Sequence, residues 1–74
     1  MKNKIIKIAN ELFDTQITIN SKIGDIEKWD SLGQINLFMT IEAELGISFN
    51  PDEIIENDSI VKIINLLKDK ELNK

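Results

Sequence analysis

A chain of 74 residues, 42% of them apolar, is enough for one small domain with a core and leaves no room for a deep catalytic cleft. With no cysteine and no histidine, disulfides, the usual zinc ligand sets, thiol nucleophiles and imidazole bases are excluded together. The net charge of −4 is unevenly spread: residues 1–24 and 59–74 each carry +2, whereas residues 25–58 carry −8 with Lys28 as their single base. Such an acidic centre argues against nucleic acid, which needs basic surface to replace counterions, and suits partner proteins with basic docking surfaces. The plainer reading is that the acids only solubilise a helix face. Lys2, Lys4 and Lys7 interrupt Ile5, Ile6 and Ile8, so the chain shows neither a signal peptide nor a membrane span, and a cytoplasmic monomer is expected.

Ile5, Ile8, Ala9 and Leu12 recur at helical spacing, widened by Ile6 and Phe13, and predict a first helix over residues 3–14. Lysines at its start and Glu11 and Asp14 at its end oppose the helix dipole, so tertiary packing has to hold it. The connection from Thr15 to Asp30 is long for a compact domain. Ile17, Ile19, Ile23, Ile26 and Trp29 are spaced to dip into the core, and Ile17-Thr18-Ile19, with no second strand to pair with, reads as extended loop.

Ser31 stands where this loop meets the most strongly helical stretch, about Leu32 to Leu45. Its hydroxyl is suited to cap unpaired N–H groups of the first turn, and Ser31-x-x-Gln34 has capping-box spacing. The same helix end, with its partial positive charge, would favour a phosphate on that oxygen. This helix is apolar on two sides. Leu37, Phe38, Ile41 and Leu45 follow core spacing, whereas Leu32, Ile35 and Met39 run along another side towards Glu42, as more core or as an exposed strip edged by acids. Gly46 closes the helix. Ile47-Ser48-Phe49-Asn50 crosses over to a short third helix that begins at Pro51, with Ile54 and Ile55 as its buried side. Asn57-Asp58-Ser59 breaks it and supplies the next cap. The fourth helix buries Ile60, Ile63, Ile64 and Leu67, is widened by Val61 and Leu66, and frays from Lys68 to Lys74. Asp52, Glu53 and Glu56 lack the alternating oxygen pattern of a calcium loop and have no nucleophile or base beside them, so neither metal binding nor intrinsic catalysis is expected.

Trp29-Asp30-Ser31-Leu32-Gly33, followed by Ile35, Leu37, Phe38, Met39 and Ile41, then Glu42-Ala43-Glu44-Leu45-Gly46-Ile47 and Pro51-Asp52-Glu53-Ile54, resembles the acyl and peptidyl carrier proteins from about Lys4 to about Lys68. The resemblance implies an all-α four-helix bundle with a long first loop and a short third helix, forming one carrier domain over residues 1–74. It implies that Ser31 receives 4′-phosphopantetheine from coenzyme A through a phosphopantetheinyl transferase. The arm would then carry acyl groups as thioesters between loading and transferring enzymes. Asp30 would help present the serine and the metal-bound donor. Leu32, Ile35, Met39, Glu42 and Glu53 would form the docking surface, and Phe38, Ile41, Phe49, Ile54, Ile55, Ile60 and Ile64, with Ile47, an acyl pocket. The chain would be a carrier and not an enzyme. Gly33 and Asn36 stand where the commonest fatty-acid carriers often have acids, and a glycine inside a helix costs about 1 kcal/mol relative to alanine. Trp29 before Asp30-Ser31-Leu32 and the run Gly33-Gln34-Ile35-Asn36-Leu37 look more like stand-alone carriers dedicated to modified lipids, surface sugars or secondary metabolites, a reading that stands level with fatty-acid synthesis. The alternative of another class is an acidic helical interaction domain that is never modified.

Overall fold

In the computed structural model, which describes residues 2–72 and side chains as far as Lys70, the chain forms four helices: α1 (Lys2–Phe13), α2 (Ser31–Leu45), α3 (Pro51–Glu56) and α4 (Ile60–Leu72). Helix α1 packs against α2 and α4, and α3 packs against α2. Among the described residues there is no strand, and no helix is long and apolar enough to cross a membrane. Helix α1 turns Ile5, Ile8, Ala9 and Phe13 into the core, and Asp14 ends it in a left-handed conformation, φ 51°. Leu12 is only half-buried.

The long loop is ordered by the means its composition suggested. Ile17 and Trp29 are buried, and Ile19, Ile23 and Ile26 pack partly buried against the core. Polar groups fasten the rest. The Ile17 N–H donates to Asn10 Oδ1 at 2.6 Å, and an isolated antiparallel bridge joins Lys22 to Ser59. In that bridge Ile60 N–H donates to the Ser21 carbonyl at 3.0 Å and Ile23 N–H to the Asp58 carbonyl at 2.9 Å. Gly24, at φ 90°, lets the chain turn back so that its N–H reaches the Trp29 carbonyl at 2.9 Å. Trp29 then stacks on Phe13, with ring centroids 5.4 Å apart and planes inclined by 20°. The end of the loop is thereby pressed onto the end of α1.

Helix α2 ends as expected, with Gly46 at φ 67° donating its N–H to the Glu42 carbonyl at 2.9 Å. Asn50 and Glu53 form a capping box at the start of α3, and Pro51 occupies its first turn. No residue of α3 is fully buried: Ile54 is half-buried, but Ile55 is 72% exposed and does not share its side. Adjacent helical residues point about 100° apart, and among the described residues α3 packs against α2 alone, so the neighbour of Ile54 is left facing solvent. The Ser59 hydroxyl accepts the Lys62 N–H at 3.2 Å at the start of α4. Ile60, Ile63, Ile64 and Leu67 of α4 are buried, whereas Val61 is exposed and does not widen that face. Helix α4 continues through Leu72, past the fraying expected from Lys68, and Asn73 and Lys74 lie outside the described residues.

Gly33 is required by this packing despite its poor helix propensity. A Cβ there would overlap the Lys28 carbonyl oxygen and press on Phe13 Cε1 at 3.2 Å, so the loop and α1 can approach the start of α2 this closely because position 33 has no side chain. Gly33→Ala is expected to lower stability by about 1–3 kcal/mol, the range for overpacking, even though alanine is the better helix former. Urea denaturation checks this, and a stabilised variant would show that the contact relaxes freely.

Candidate functional site

The start of α2 is organised differently from the expected capping box. Asp30, and not Ser31, is the cap: its backbone is extended (φ −104°, ψ −164°), and its Oδ1 accepts the Gly33 N–H at 2.8 Å. Ser31 is the first helical residue and is exposed. Gln34 does not reach back along the surface but turns into the core. Its Oε1 accepts the Trp29 indole N–H at 2.7 Å, and its Nε2 donates to the carbonyls of Ile54 at 2.7 Å and Asn57 at 2.8 Å. A buried indole N–H needs an acceptor, and the two carbonyls near the end of α3 need a donor. One amide meets all three demands. Neither Gln34's burial nor its link to α3 could be read from its spacing, since its partners lie up to 23 residues away.

Position 31 therefore presents a hydroxyl on the outer face of a first turn whose geometry is fixed by its neighbours. Asp30, the cap, precedes it on one side in the chain. On the other begins the strip of Leu32, Ile35 and Met39, exposed by 65%, 46% and 58%, while Leu37, Phe38 and Ile41 face the core and Leu45 is half-buried. The structure thus separates the two apolar sides of α2, and the outer one faces solvent.

The two expected docking acids are also engaged internally. Glu42 Oε2 accepts the Phe49 N–H at 2.8 Å, tying the crossover to α2. Glu53 accepts the Asn50 N–H at 3.0 Å and pairs with Lys70 at 3.0 Å, and the Lys70 ammonium lies 5.2 Å from the Phe49 ring centroid. The Asn50 N–H, and after it the Lys70 ammonium, hold the Glu53 carboxyl below its ordinary pKa against the opposing effect of burial. Of the residues expected to shelter a cargo, Phe38, Ile41, Ile60, Ile64 and Phe49 are core, with Phe38 and Phe49 edge to face at 4.7 Å. Ile54 and Ile47 flank them half-buried, and Ile55 is turned to solvent.

Comparison with known proteins identifies the family. The family model described as the phosphopantetheine attachment site matches residues 4–67, and the chain belongs to that family, whose domain is the site of covalent attachment of 4′-phosphopantetheine. No curated protein and no solved structure matches the chain.

Two measurements check the site's construction. Asp30→Ala is expected to cost about 1 kcal/mol through the lost cap, whereas Ser31→Ala should change stability by less than about 0.5 kcal/mol. The reverse order in urea denaturation would return the cap to Ser31. Because folding lowers the Glu53 pKa, its stabilising contribution is complete above the reference value of 4.5 and is lost as pH falls through the lower folded-state value. Glu53→Gln should therefore be less stable than wild type at neutral pH, with the gap closing as the pH drops below 4.5. A gap independent of pH would contradict the shift.

Proposed function

We propose that Ser31 is the attachment residue and that the chain is an acyl carrier. The observation that supports this best is the exposed Ser31 hydroxyl on the first turn of α2, with its cap duty taken over by Asp30. Ser31 has no histidine to activate it and is a poor nucleophile unaided, so a transferase must supply the base. Ser31 Oγ bonds to the phosphorus of coenzyme A that carries the pantetheine, its proton passes to that base, and the phosphoanhydride bond breaks to release 3′,5′-ADP. Asp30, which precedes Ser31 and caps the turn through Oδ1, is proposed to help present the serine and the metal-bound donor. Once attached, the arm supplies the thiol that this cysteine-free chain lacks and holds acyl groups as thioesters.

The exposed strip of Leu32, Ile35 and Met39 is the apolar centre of the docking surface, and Glu42 and Glu53 lend it negative charge for basic partner enzymes. The cytoplasm is the proposed place of action. The cargo belongs to fatty-acid synthesis or to a dedicated lipid, polysaccharide or secondary-metabolite pathway. The core formed by Phe38, Ile41, Phe49, Ile60 and Ile64, flanked by Ile54, is the proposed shelter for an acyl chain.

Incubation with coenzyme A and a phosphopantetheinyl transferase should add one phosphopantetheinyl group to the wild type and none to a folded Ser31→Ala, as read by intact mass. An unmodified wild type under conditions that load a control carrier would favour the interaction domain that is never modified. In the same assay the double variant Ile35→Ala, Met39→Ala should load about tenfold more slowly at unchanged melting temperature. Charge reversal at Glu42 or Glu53 also removes an internal hydrogen bond, so the apolar pair is the cleaner probe. An unchanged rate would move the docking surface elsewhere.

A further inference from the structure

A cleft of about 290 Å³ opens between the end of α1 and the start of α2, next to Ser31. This volume is near the lower end of the range of about 300–1,000 Å³ for small-ligand sites. Leu12 and Phe13 form one wall, Leu32 and Asn36 the other, and Lys28 stands at the loop side. Asp30 and Gly33 complete the lining, so Ser31 is flanked on both sides by residues of the cleft. Leu32 and Asn36, one turn apart, share a side of α2. Gly33 is buried, and its missing side chain allows the close approach of Phe13 to α2.

The chemistry of the lining follows the chemistry of a pantetheine arm. Its phosphodiester is an anion, its next carbon carries two methyl groups, and two amides follow. Lys28, the single base of residues 25–58, brings a cation to the lining three positions before Ser31, and it offsets the Asp30 carboxylate, whose Oδ1 is already held by the Gly33 N–H. Leu12 and Leu32 supply apolar surface, and Asn36 a side-chain amide that can both donate and accept. We infer that this cleft is a seat for the arm itself: between docking events it lies along the α1 side of α2, with Lys28 near the phosphodiester, the geminal methyls against Leu12 and Leu32, and an amide at Asn36. This inference rests on attachment at Ser31. It places the arm between α1 and α2, in a cleft that shares no lining residue with the core proposed to shelter an acyl chain. A surface ammonium contributes modestly to holding an anion, so the arm is seated in equilibrium and can be withdrawn by a partner.

The test uses protein loaded from coenzyme A that is 13C-labelled in its pantetheine portion, with loading verified by intact mass. Nuclear Overhauser effects are expected from the geminal methyls of the arm to Leu12 and Leu32, with amide shifts on loading at Phe13, Lys28 and Asn36. Lys28→Glu, loaded to the same mass, should weaken these effects about threefold through loss of the cation. Loaded protein whose arm has the line widths of free pantetheine and no such effects would overturn the seat, as would contacts to Ile54 or Ile60 instead. An absent mass gain would overturn the Ser31 reading and the seat with it, so the two failures are told apart by the first measurement.

Discussion

The buried side-chain amide of Gln34 is the interaction on which the rest of the structure depends. It accepts from Trp29 before α2 and donates to Ile54 and Asn57 at the far end of α3, so three separate segments share one side chain. The Trp29 indole N–H, left unpaired in the core, would cost about 1–3 kcal/mol, a large part of the stability of so small a chain, and the two carbonyls, partly buried, would each lose a bond. Helix α3 has no fully buried residue, and it relies on this amide, on its own capping box and on the Glu53–Lys70 pair. The amide also sets where α2 begins, since it fixes Gln34 and Trp29 to one another across the residues that include Ser31.

Close approach is the second constraint, and it acts on the same few residues. With Gly33 against the Lys28 carbonyl and the Trp29 ring stacked on Phe13, the loop arrives at α2 at one defined angle. Asp30 falls at the cap position, and Ser31 follows on the open face of the first turn. The hydroxyl is positioned by neighbours and needs no structural duty of its own. That division of labour suits a residue that another enzyme must reach.

The fold was largely legible because its helices are marked by local chemistry. Periodicity located α1, α2 and α4, Gly46 and Pro51 marked two boundaries, and the isoleucines of the first loop announced that it would be anchored. The site was legible in its residue types but not in all its roles. Asp30 and Ser31 are adjacent, equally good caps, and Ser31-x-x-Gln34 fits a capping box. The decision against it came from the core's need for an amide beneath Trp29, which no local pattern carries. Ile55 failed as a core residue because, among the described residues, α3 packs against α2 alone and turns Ile54, not Ile55, towards it. Glu42 and Glu53 carry charge at the surface, but their hydrogen bonds to Phe49 and Asn50 depend on how the crossover and α3 are placed.

Hydrogen exchange at the Trp29 indole tests the central claim most directly, because the chain has one tryptophan and its N–H reports on the Gln34 bond alone. If Gln34 holds the start of α2, that proton should exchange only through global unfolding, as slowly as the most protected core amides. Exchange at the rate of a free indole while the core amides stay protected would contradict the account.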